Sequence, residues 1–153
     1  MINEVYIPRT GPLEPLINCI GYVELEDHEA NDSWLGLLPN ASSNLTISLT
    51  ADKIEYNTTS SDSVLFSACD QAVVLRKADN LKFINVQFSP IGLYCFFNIP
   101  VDRLSFQLGL NDLLGASQAK EVVEKLSTAG SPKKCLAAMV NFLEECLVHR
   151  LPD

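Results

Sequence analysis

LKFINVQFSPIGLYCFF, residues 81–97, decides the fold. Leu81–Phe88 has strand length and alternates: Ile84, Val86 and Phe88 share one face, Asn85 and Gln87 the other. Ser89-Pro90-Ile91-Gly92 reads as a tight turn, because proline presets φ and glycine accepts unusual backbone angles. The segment after this turn sets the architecture. Leu93-Tyr94-Cys95-Phe96-Phe97 is aromatic, and by propensity reads as another strand.

Upstream, the same alternation recurs. Leu45–Thr50, Lys53–Asn57, Ser63–Ser67 and Gln71–Arg76 are rich in Val, Ile, Phe and Thr. Turn-forming clusters separate them at Pro39-Asn40, Ala51-Asp52, Thr58–Asp62, Cys69-Asp70 and Asp79-Asn80. In WLGLLPNASSNLTISLT, residues 34–50, an apolar run stops at Pro39-Asn40, and Leu45, Ile47 and Leu49 then point inward. Short strands at this spacing predict a sandwich or barrel, since no helical stretch of the ~10–15 residues that βαβ units need lies between them.

Downstream of residue 100 the period lengthens. Asp112-Leu113-Leu114-Gly115 reads as a short helical turn ending on glycine. Ser117–Leu126 carries Val122, Val123 and Leu126 at amphipathic spacing. Ser131 can cap the next helix, with Pro132 at its first position, and that helix runs to about His149. It bears two apolar lines: Leu136, Val140, Leu143 and Leu147, and beside them Cys135, Met139, Phe142 and Cys146. Two lines exceed one packing contact, so one is expected to meet the β-structure and the other a second subunit. Met139, Phe142, Leu143 and Cys146 are the candidate dimer contacts. The chain thus reads as one domain over residues 1–153, mainly β with C-terminal helices (α+β), the β part spanning about 13–100 and a helical tail about 101–150.

Composition excludes several functions. The chain has 153 residues, long enough to bury a core, and a formal net charge of -8. Phosphate binding needs a positive face, and the largest basic cluster is the pair Lys133-Lys134, so nucleic acid and anionic membrane are disfavoured as partners of this chain. No apolar run approaches the ~18 residues of a membrane span. MINEVYIPRT is polar and carries a proline, unlike a signal peptide. The five cysteines, odd in number and without a CxxC, fit buried free thiols in a reducing cytosol. A cytoplasmic location is expected.

Chemistry is sparse. The two histidines are His28, in the charge run Glu24–Glu29, and His149, near a helix end where a cation favours the dipole. A cupin-type enzyme needs a cluster of imidazole and carboxylate ligands, and this sequence shows none. Ser117-x-x-Lys120 and Ser131-x-x-Lys134 match S-x-x-K, but both serines read as helix starts. No catalytic residue, metal ligand or cofactor is expected. Apolar and aromatic side chains would line any ligand pocket, and Trp34, Phe83 and Phe88 are the candidates.

Taken in order, these pieces resemble the N-terminal domain of AraC-type transcriptional regulators. The likeness spans about residues 13–150. It is carried by Leu16–Tyr22, by Leu37-Leu38-Pro39-Asn40 with Asn44–Thr50, by Phe88-Ser89-Pro90-Ile91-Gly92, by Leu110–Gly115, and by Ser117–Arg150. The family commonly has Asp-Gly where Asn40-Ala41 stands, and Arg and Gly where Ser89 and Ile91 stand. The resemblance implies a cupin-like (jelly-roll) antiparallel barrel followed by two or three helices, and it makes Leu93–Phe97 a helix, which Pro90 and Gly92 can open. It implies an effector-sensing and dimerising domain: a homodimer in the family's manner, with a small-molecule effector. It further implies DNA contact only through a helix-turn-helix domain that would begin beyond Leu151-Pro152-Asp153. A stand-alone cupin-like binding module, or less readily a cupin enzyme, is the alternative.

Overall fold

In a computed structural model, residues 2–24, 34–37, 43–50, 54–56, 59–61, 63–67, 73–76, 82–99 and 108–150 are described. Nine strands precede four helices among them. The strands are β1 (Ile2–Tyr6), β2 (Ile17–Glu24), β3 (Trp34–Leu37), β4 (Ser43–Ser48), β5 (Ile54–Tyr56), β6 (Thr59–Ser61), β7 (Ser63–Ser67), β8 (Val73–Arg76) and β9 (Lys82–Phe88). The helices are α1 (Pro90–Phe97), α2 (Leu110–Leu114), α3 (Ala116–Ser127) and α4 (Pro132–Arg150). All named pairings are antiparallel, so the α+β expectation of an antiparallel β region followed by helices holds.

The strands form two sheets, ordered β1-β2-β9-β4-β7 and β3-β8-β5-β6. The first is central. Its middle strand β9 pairs β2 on one side and β4 on the other, so Lys82–Phe88, within the clearest strand of the sequence, is paired along both edges. One face of this sheet carries Ile20, Tyr22, Leu45, Ile47, Leu65, Ile84, Val86 and Phe88, all buried. These merge into one apolar core with Leu93, Phe96 and Phe97 of α1, Leu110 of α2, Val122 and Leu126 of α3, and Met139 and Leu143 of α4. Burial of this size is the dominant favourable term in folding.

Local chemistry explains the helix boundaries. Ser89 caps α1: its Oγ accepts from the Gly92 N–H at 3.1 Å, and Pro90 needs no donor at the first position. The helix over Leu93–Phe97 therefore replaces the strand that its aromatics alone predict, because cap and proline act before propensity does. Gly115 ends α2 with φ 87°, as the Asp-Leu-Leu-Gly reading anticipates. Ser131 caps α4, its Oγ accepting from Lys134 N–H at 3.1 Å.

Two expectations need correction. The β region begins at Ile2, not near residue 13, because the short Ile2–Tyr6 segment gains its stability from pairing with β2 rather than from its own pattern. Thr59–Ser61, inside an expected break, is a strand, held by its register with Ile54–Tyr56. The turns at Pro39-Asn40, Cys69-Asp70 and Asp79-Asn80, together with His28, lie outside the described residues. No described helix is long and apolar enough to cross a membrane.

Candidate ligand-binding face

The side of the central sheet that does not join the helical core is built from alternate positions on the same strands. Register places Val5, Gly21, Asn85 and Thr46 in one row across β1, β2, β9 and β4. Beside it run Asn3, Val23, Phe83 and Ser48, and on the other flank Cys19, Gln87 and Asn44. Phe83 is buried yet stands apart from the helical core cluster, as its odd position requires.

This face is polar and, at its β4 end, closed to solvent. Asn44, Thr46 and Ser48 are 2%, 0% and 3% exposed. Strict alternation predicts these positions to be wet, so their burial is the feature that sequence reading missed. Buried polar groups must find partners. Thr46 Oγ1 donates to Asn85 Oδ1 at 2.8 Å, and Asn85 Nδ2 donates to Asn44 Oδ1 at 3.3 Å. Ser48 Oγ meets the Thr50 carbonyl at 3.3 Å. Burial also pushes the Cys19 thiol up from its ordinary value.

Among the described residues of β1, β2, β4 and β9, charge falls on the other face. Lys82 Nζ lies 3.6 Å from Glu24 Oε1, and the Tyr22 hydroxyl donates to Glu24 Oε2 at 3.0 Å. Burial first, then the Glu24 bond and charge, and last Cys135 push Tyr22 up to about 12. Cys135 of α4 is pushed up to about 11 by burial. Both remain protonated at neutral pH, so neither is an activated nucleophile or base.

The predicted pocket residues therefore separate. Phe88 packs into the helical core, its ring 5.5 Å from Phe96 and 5.8 Å from Phe97. Phe83 lies on the opposite, polar face. Five residues apart on one strand, they cannot share a lining. Trp34 is in β3 of the second sheet, and its side chain lies outside the described residues.

The predicted dimer contacts separate too. Met139 and Leu143 are fully buried within the chain and are not available to a second subunit. Helical rotation explains this: the line that reaches the core is Cys135, Leu136, Met139 and Leu143, which takes members from both sequence lines. Phe142 and Cys146 stay half-exposed. Phe142 borders a groove of about 260 Å³ between α3 and α4, with Val122, Leu126, Ala138, Asn141 and Glu145. Among the described residues no three of His, Cys, Asp and Glu gather in a way that could hold a metal ion.

Compared with known proteins, the chain matches no family model, and no curated protein matches it.

Proposed function

We propose that this chain is the effector-sensing and dimerisation domain of an AraC-type transcriptional regulator, a cupin-like shell with a helical tail. The observation that carries this reading is the hydrogen-bonded row of buried Asn44, half-buried Asn85 and buried Thr46 on a sheet face that the helical core does not use. Buried hydroxyl and amide groups are costly to a purely structural sheet, and they are what orients a small ligand. Two further features support it. The order of elements, strands then helices, agrees with what the sequence resemblance implies. The net charge of -8 suits a domain that leaves DNA contact to a separate helix-turn-helix domain.

In this reading the chain binds and relays, and performs no catalysis. An effector on the polar face is coupled to the tail through β9. This strand carries Asn85 and Phe83 on one side and Ile84, Val86 and Phe88 on the other, and it runs directly into α1. A ligand shifts the equilibrium only by its different affinity for two states, and a strand touching both layers can transmit that difference. Subunits pair in the cytoplasm through the α3–α4 surface around Phe142 and Cys146.

A thermal-shift screen of cellular metabolites tests this. A true effector at 100 times its Kd stabilises the folded state by about 2.7 kcal/mol, which a melting curve resolves. A screen without a stabilising compound, together with a monomer in sedimentation at all concentrations, overturns the reading.

A further inference from the structure

The two outer strands of the central sheet differ. They are β1 and β7. β7 is closed: Leu65 N–H donates to the Leu108 carbonyl at 2.7 Å, and the Ser63 hydroxyl accepts from Leu110 N–H at 2.7 Å. β1 pairs β2 along one side, and among the described residues no strand pairs the other. Helix α4 packs against β1 and holds it in place. An unpaired edge presents a row of N–H and C=O groups that a further strand can take up.

Exposed apolar side chains gather on this edge. Among the described residues six large apolar side chains are exposed, and four of them lie in one run: Ile2 at 39%, Val5 at 55%, Tyr6 at 38% and Ile7 at 49%. They fall on both faces of the strand. Ile2 and Tyr6 alternate with Glu4 on the core side, and Val5 and Ile7 with Asn3 on the other. A helix or small molecule laid on the sheet would cover one face alone, whereas a strand added at the edge shelters both. Natural edges are commonly guarded by charge, and between Ile2 and Ile7 the only charged residue is Glu4.

The strand is complementary to itself in one register. An antiparallel pair of identical strands has a two-fold axis, so one residue must face its own copy. Centred on Glu4, the pair would set carboxylate against carboxylate. Centred on Tyr6, it would draw the buried Pro8, which has no N–H, into the ladder opposite Glu4. Centred on Asn3, it would leave Tyr6 and Ile7 outside. Centred on Val5, it sets Val5 on Val5 and Asn3 beside Ile7 on one face. On the other face Glu4 meets Tyr6 twice, a carboxylate opposite a phenol that can donate to it. The closed edge at β7 gives a third copy nowhere to add, so the sheet grows by one copy and stops.

We infer that the open edge of β1 is an interaction surface for a second copy of this chain, joined antiparallel over Asn3–Ile7 with Val5 on the two-fold axis. Five paired residues fall at the small end of interface size, below about 1,200 Å², so the pair is weak and depends on concentration. The surface is separate from the α3–α4 side around Phe142, and the inference does not need the sensor reading.

Cross-linking tests both the partner and the register. Residues directly opposite in an antiparallel pair have Cα atoms about 4.5–5.5 Å apart, within disulfide reach, while diagonal neighbours at about 7–8 Å are beyond it. Val5→Cys, treated with copper–phenanthroline, should give at least five times the disulfide-linked dimer of the parent, whose native cysteines set the background. Glu4→Cys and Tyr6→Cys, each diagonal to its own copy, should stay near that background. The Val5→Cys link should persist when Phe142→Glu is added, which separates this edge from the helical surface. By sedimentation, Val5→Lys should melt as the parent does and raise the dissociation constant of the Phe142→Glu protein's remaining dimer at least tenfold, because it sets two ammonium groups face to face. No excess link at position 5, an equal or greater link at position 4 or 6, or unchanged association in Val5→Lys overturns the inference. None of these outcomes touches the sensor reading, which falls on an empty thermal-shift screen with a monomeric chain.

Discussion

Gly92, in the first turn of α1, lies against the backbone of Leu16, so close that an added Cβ would overlap the Leu16 carbonyl group. The Ser89 N–H also donates to the Leu16 carbonyl, at 2.9 Å, and the Ser89 hydroxyl to the Pro15 carbonyl at 2.8 Å. The strand-to-helix junction and the segment before β2 are thus one locked unit. Gly92→Ala must move backbone against backbone, where no flexible side chain can yield. We expect a loss of about 3 kcal/mol or more, read by urea denaturation. A Gly92→Ala protein of parental stability would show that the two segments do not pack this way.

Ser89→Ala keeps the backbone but removes the α1 cap and the bond to Pro15. The expected cost is about 1–2 kcal/mol, without loss of fold. Circular dichroism and melting temperature check it. An unchanged melting temperature would mean that water replaces both bonds at no cost.

Position on α4 separates stability from association. Leu143→Ala and Met139→Ala empty the core and should each cost roughly 2–5 kcal/mol. Phe142→Glu, on the half-exposed side, should stay folded and shift the sedimentation equilibrium toward monomer. A folded Phe142→Glu protein that still sediments as the parent does would move the interface elsewhere.

Thr46→Val keeps the shape and removes the hydroxyl that bonds Asn85. Stability should fall by about 1 kcal/mol, and Asn85→Ala should cost about 1–3 kcal/mol by removing the acceptor of the buried Thr46 hydroxyl and one donor to Asn44. A double-mutant cycle reads the coupling. Additive effects would show that the buried row is not a network.

Cys135 and Tyr22 predict the alkaline limit of stability. Burial raises Cys135 from 9.0 to about 11, and burial with Glu24 raises Tyr22 from 10.0 to about 12. Both groups then keep their protons in the folded state at pH values where the unfolded chain has lost them. The folded state binds more protons, so stability falls as pH rises. The contribution is constant below about pH 9 and lost progressively between 9 and 12. Cys135→Ala should flatten the part of this decline between pH 9 and about 11, measured as urea midpoints across pH. A decline of the same depth in Cys135→Ala would assign it to other groups.

Much of the fold was legible because local rules agree with the tertiary outcome. Leu45 and Ile47, and Ile84, Val86 and Phe88, alternate as core-facing strand residues must. Ser131-Pro132 and Leu114-Gly115 punctuate helices by cap and left-handed chemistry that needs no distant partner. The α1 helix shows the limit of that legibility. Leu93–Phe97 reads as a strand by composition, and only the Ser89 cap with Pro90 turns it into a helix.

Sequence alone therefore determined that strands precede helices, the core face of the Leu45–Ile47 and Ile84–Phe88 strands, and the acidic character of the chain. These come from side-chain periodicity and charge, which belong to the chain itself. The tertiary structure alone decided that Asn44, Thr46 and Ser48 are buried, that Phe83 and Phe88 serve opposite layers, that Met139 and Leu143 are spent inside the chain, and that Gly21 stands in a row with Asn85. Periodicity says which residues share a face, but what covers that face, and which strands set it in register, depends on contacts between segments far apart in the chain.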